Sequence, residues 1–155
     1  RTAVSNLEGY QRAQALVLLG DISQRMSINR VGTRNGYYTR TDVGVGTCAV
    51  PPTPSPPPTG FNATAFDTAN TDICAWADLI RGASEKDAGG TSVGAMLGAR
   101  GCITPTAVAN EYLVTIVWQG IQASGPAPQA CGQNQYGNEN LRRGISQVVR
   151  IGVLL

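Results

Sequence analysis

Four cysteines, Cys48, Cys74, Cys102 and Cys131, have the widest chemical reach in this 155-residue sequence. A thiolate can act as nucleophile, metal ligand or half of a disulfide, and spacing discriminates among these roles. The intervals are 26, 28 and 29 positions. Structural zinc sites draw on close pairs, because two thiolates on one turn pre-form half a tetrahedron, and no such pair exists here. A cysteine nucleophile needs a base, and histidine is absent from the chain. The same absence removes Ser-His-Asp machinery and His-containing zinc sites, so no catalysis, metal or cofactor is expected. An even, dispersed set fits two disulfides in an oxidising compartment better than four thiols in the cytosol. The low charge, with 14% Asp, Glu, Lys and Arg, also favours export. Four cysteines allow three connectivities. Pairing Cys48 with Cys74 and Cys102 with Cys131 closes the shortest loops, each worth about 3–4 kcal/mol in the chain-entropy model.

The other ionisable residues are sparse. Asp72 and Asp78 lie six positions apart, on different faces of any helix that contains them, and read as a helix-start acid and a surface acid. Eleven arginines and one lysine balance ten acids to a net charge of +2, far from the dense basic stripe of a nucleic-acid binder. Arg30, Arg34 and Arg40, like Arg142, Arg143 and Arg150, read as solvated surface residues. Gly44-Val45-Gly46-Thr47-Cys48-Ala49 matches a dinucleotide fingerprint in letters only, since prolines follow where a helix must begin. Asn62-Ala63-Thr64 matches the glycosylation sequon, which is too short to weigh alone. No window approaches the roughly 18 apolar residues of a membrane span.

The length is that of one domain, residues 1–155. Residues 1–28 read as one long helix: Ala15, Leu18/Leu19, Ile22 and Met26 form an apolar stripe continued by Leu7 and Val4. Asn29 and Gly32 supply its stop. At ~27 residues it would be about 40 Å long, more than one sheet needs. It opens at residue 1 without a start signal, which predicts an upstream extension. Residues 31–70 read as a loop region around the proline-rich stretch 51–59, a stiff extended segment. A short helix is expected over 71–82, with Thr71 as N-cap and Ile73, Trp76, Ala77 and Ile80 inward. Residues 92–155 read as antiparallel sheet: a glycine-interrupted strand over 93–104, a clear strand over 112–119, and an alternating strand over 145–155 with Ile145, Val149, Ile151 and Val153 on one face. Helix first and sheet after is an α+β order.

The colinear set of these features resembles the type IV pilus minor pilins of the PilV kind. Ala13-Gln14-Ala15-Leu16, Asp21-Ile22, Arg25-Met26 and Asn29 are similar to the second half of the family's first helix. Cys74, Trp76 and Asp78 stand close together as in its short helix, and Tyr112 to Trp118 matches a strand. Cys131-Gly132, the Arg142-Arg143 pair and the final strand complete the match. The family's leader cleavage site, Phe, Glu and apolar run do not occur in these 155 residues.

The resemblance implies a pilin-like fold, one long helix laid on a three- to four-stranded antiparallel sheet. It implies a non-enzymatic subunit that primes pilus assembly near the fibre tip, with other minor pilins, the major pilin and a tip adhesin as partners. An apolar half-helix upstream would anchor it in the inner membrane, on the periplasmic face, before export into the extracellular pilus. Within the chain, Val4, Leu7, Glu8, Tyr10 and Arg12 are the candidate subunit interface, because a helix longer than its sheet leaves a stripe uncovered, and Tyr and Arg are enriched in interfaces. Two rivals share these features: a minor pseudopilin of a type II secretion system, and a secreted ligand- or DNA-binding tip module.

Overall fold

In the computed structural model, residues 2–84 and 95–152 are described, with side chains from residue 5 onward. The elements run α1 (Thr2–Ile28), α2 (Arg30–Arg34), β1 (Arg40–Val43), α3 (Ala63–Ser84), β2 (Leu97–Pro105), β3 (Glu111–Gln119) and β4 (Arg142–Arg150), with a 3₁₀ turn over Glu139–Leu141. The sheet is antiparallel throughout, in the order β1-β2-β3-β4. Both long helices lie on one face of it, so the architecture is α+β with a long N-terminal helix and four strands.

The apolar stripe of α1 is buried as its spacing predicts. Ala15, Leu18, Leu19, Ile22 and Met26 meet Tyr112, Val114, Ile116 and Trp118 of β3 in one core. Trp76 of α3 is the keystone between helix layer and sheet. Its indole N–H donates to the Leu18 carbonyl at 2.9 Å. Its ring lies so close to β2 that a Cβ on Gly101 would come within 2.4 Å of it.

Two expectations need correction. The second helix is 22 residues long and starts at Ala63, not at Thr71. Asn62 is its cap, the Oδ1 accepting from the Ala65 N–H at 2.9 Å, and Phe66, Ala69 and Asn70 carry the buried stripe upstream of Ile73. Residues 31–70 are also more ordered than a loop. Asn29 ends α1, yet its Oδ1 accepts from the Gly32 N–H and starts α2. Arg40–Val43 supplies the fourth strand. The proline-rich stretch 51–59 has no regular structure. β2 begins at Leu97 and β4 ends at Arg150. Residues 92–94, and Val153 with the other residues after 152, lie outside the described residues.

Cys48 is bonded to Cys74 and Cys102 to Cys131, with loops of 26 and 29 residues. The first ties the proline-rich segment to α3. The second ties the long β3–β4 connection to the outer face of the sheet.

Candidate functional site

The start of α1 is where the sequence places an interface. Val4 lies in the helix, and its side chain is outside the described set. Between Ser5 and Tyr10 no residue is fully buried; the first buried one among the described side chains is Gln11. Gln11 holds α1 to the sheet, its amide donating to the Ala95 carbonyl at 2.9 Å and accepting from the Trp118 indole N–H at 3.3 Å.

The four candidates with described side chains do not form one surface. Leu7 and Glu8 are half-buried, and Glu8 is engaged by Arg143, whose Nη2 donates to its Oε1 at 3.2 Å. Arg12 lies over the Trp118 ring, 5.9 Å from its centroid. Tyr10 is 55% exposed. Positions two apart on a helix face away from one another, so Tyr10 and Arg12 belong to different sides of α1. Tyr10 instead shares its side with Val17, seven positions on and 72% exposed. Val17 borders a groove between α1 and α3 whose other wall is Leu79, Gly82 and Ala83, and Leu79 is 45% exposed. Asp21 and Asp78 stand at its margins. The uncovered apolar strip is therefore Tyr10, Val17 and Leu79. Val17 and Leu79 were findable as apolar residues lying off the buried stripes of their helices.

The arginine pair expected in solvent lies inside. Arg142 is 2% exposed and Arg143 6%. Arg142 sits under the β3–β4 connection. Its Nη2 donates to Glu139 Oε1 at 2.8 Å and to the Ala127 carbonyl at 3.2 Å, and its Nη1 donates to the Cys131 carbonyl at 3.0 Å and to the Gln129 carbonyl. Arg143 Nη1 donates to the Asn140 carbonyl at 2.9 Å, and its Nη2 to the Gln122 carbonyl as well as to Glu8. A guanidinium presents five N–H donors in a planar fork and so pins a connection that has few apolar side chains of its own. The Arg142 hydrogen bonds, with the Asn134 N–H, hold the Glu139 carboxyl below the usual carboxylate range. Glu111 is lowered likewise by the Thr106 hydroxyl and by Arg150.

Asp72, expected in the first turn of its helix, is nine residues into α3. It accepts from Arg25 Nη1 at 3.2 Å and from the Tyr38 hydroxyl. Burial, and then this bond to Asp72, push the Tyr38 hydroxyl far above the ordinary tyrosine value. Asp78 is exposed and pairs with Arg81 at 3.0 Å, so the two acids share no site. Arg40 turns onto Asn70 at 2.6 Å, and Arg30 donates to the Gly152 carbonyl. Arg34 is exposed. The arginines are thus divided among separate local contacts and do not form one basic stripe.

Among the described residues, no group of three His, Cys, Asp or Glu is placed to hold a metal ion. Nor is any helix among them long and apolar enough to cross a membrane. Comparison with protein-family models, with curated proteins and with solved structures finds no match to this chain.

Proposed function

We propose that this chain is the globular part of a minor pilin, a non-enzymatic subunit that primes type IV pilus assembly near the fibre tip. The observation that supports this best is the apolar strip of Tyr10, Val17 and Leu79 on the side of the helix layer away from the sheet. A long helix that covers a sheet with one stripe and offers a second to solvent is suited to packing among subunits. The long helix on a four-stranded antiparallel sheet agrees with a pilin-like fold, and the two disulfides agree with assembly outside the cytoplasm. On this reading an apolar half-helix upstream anchors the subunit in the inner membrane, and its partners are the other minor pilins and the major pilin.

The test is deletion of the gene in its bacterium, with surface pili counted by electron microscopy. The expected result is loss or steep reduction of pili, restored by the wild-type gene and not by Val17→Asp. That exposed substitution should change the stability of the chain by no more than about 0.5 kcal/mol. Normal piliation in the deletion strain would overturn the reading. Normal piliation with failed secretion of exported proteins would assign the chain to a type II secretion system instead.

A further inference from the structure

A cleft of about 330 Å³ lies on the face of the sheet opposite the helices, at the lower end of the range for small-ligand pockets. Its floor is Cys102 and Thr104 of β2 with Leu113 and Thr115 of β3. One wall is β1. An alternating strand would send Thr41 and Asp42 to opposite faces. Here the ladder is irregular between Arg40 and Val43, Asp42 is left-handed at φ 55°, and both residues line the cleft. The other wall is the β3–β4 connection, which presents Gln129, Gln133 and Gln135. This wall is held in place by the Cys102–Cys131 bond and by Arg142, which binds the carbonyls of Gln129 and Cys131.

The lining combines apolar surface from Leu113, Ala130 and the Cys102–Cys131 bond with neutral polar side chains. Thr41, Thr104, Gln133 and Gln135 bring hydroxyls and amides that have no side-chain partner among the described residues, whereas the Thr115 hydroxyl is bonded to Ser146 at 3.0 Å. The one carboxylate, Asp42, is balanced by Arg100 at 3.1 Å. An anion would want unbalanced guanidinium or N–H groups, a cation would want several carboxylates, and an apolar ligand would leave these groups unsatisfied. Hydroxyls and amides both donate and accept, as do the hydroxyls of a sugar. Leu113 offers an apolar patch for a ring's C–H face. The backbone polar groups of the floor are taken up by the β2–β3 ladder, so the cleft contacts its ligand mainly through side chains, which suits a polyol better than a peptide backbone.

We propose that this cleft binds a neutral mono- or disaccharide. Its walls are preformed, so binding requires little ordering of the protein. The proposal is independent of the pilus reading, since the cleft and the Tyr10–Val17–Leu79 strip lie on opposite sides of the molecule.

The test is saturation-transfer NMR on the intact chain with glucose, galactose, mannose, N-acetylglucosamine and their disaccharides, and with triglycine as a peptide probe. Saturable transfer to at least one saccharide is expected. Thr104→Val and Gln133→Ala, at positions that are not buried, should each weaken it about fivefold, while Gln24→Ala on α1 leaves it unchanged. Transfer to no saccharide, transfer indifferent to both cleft variants, or transfer to triglycine alone would each overturn the proposal.

Discussion

On the helix side of the sheet, Tyr112, Val114, Ile116 and Trp118 of β3 pack into α1 and α3, and Trp76 closes the layer. On the other side the same strand presents Leu113, Thr115 and Val117, and no helix among the described residues covers them. What covers that side in part is an irregular connection, held by one disulfide and two buried guanidiniums. The first region is stabilised by apolar area, which is non-directional and tolerant of small shifts. The second depends on directional bonds, which place backbone carbonyls and side chains where apolar packing would not. That difference explains why the helix side is filled and the outer side keeps an open cleft.

The comparison can be broken most severely from the helix side. Trp76→Ala should cost about 3–5 kcal/mol, seen as a fall in the urea midpoint, because it empties the junction of α1, α3 and β2 and removes the indole hydrogen bond to the Leu18 carbonyl. The disulfides offer the next contrast. Replacing Cys102 and Cys131 with alanine should cost about 3–4 kcal/mol in the chain-entropy model, and replacing Cys48 and Cys74 about the same, since the loops are alike in length. The two should differ in where protection is lost: amides of 120–138 exchange faster in the first variant, and amides of 44–62 in the second.

Arg142→Met tests the outer side alone. It leaves the carbonyls of Ala127, Gln129 and Cys131 without this donor, and Glu139 with the Asn134 N–H but no guanidinium. A loss of about 2–3 kcal/mol is expected, with faster exchange over 127–138 and unchanged protection in α1. An equal loss of protection on both faces would show that the two regions are one cooperative unit.

Smaller effects should separate the faces by pH. Glu139 and Glu111, both tied to the outer side or its margin, have lowered pKa values in the folded state. Their stabilisation is therefore present above the unfolded carboxylate value and is lost as pH falls through the folded one. Acid should perturb the amide signals of 127–138 before those of α1. Tyr38 belongs to the helix side, and its folded pKa is raised. Its contribution is full below about pH 10 and declines as pH rises toward the folded value. Thermal melts should fall on the alkaline side, less steeply in Tyr38→Phe. Buried Tyr112 and Tyr136 shift in the same direction and keep part of the slope.

Much of the fold was legible because periodicity reports burial. The 3.6-residue stripe from Ala15 to Met26 and the β-rich run of β3 gave both elements within a residue or two of their ends. The first half of α3 was missed because Thr, Asn and Asp interrupt its apolar residues, and because Asn62 read as a sequon, although it is the cap. β1 was missed because four residues with one buried side chain carry no period. The candidate interface was half legible. Exposure of Tyr10 follows from its place off the stripe, but the pairing of Val17 with Leu79 depends on how α3 lies against α1. Arg142 and Arg143 misled, because charge alone predicts solvent and only the folded connection supplies the carbonyls that hold them inside.

By itself the sequence determined what the chain lacks and what it must bury: no imidazole for catalysis, cysteines spaced for cross-links and not for a metal, and an amphipathic helix ahead of strands. These are properties of composition and local period, which survive without coordinates. The tertiary structure alone decided that Arg142 closes the outer wall and that Thr41 stands across a cleft from Gln133. Those contacts join residues far apart in sequence. Their energies depend on distance and direction, which no local pattern encodes.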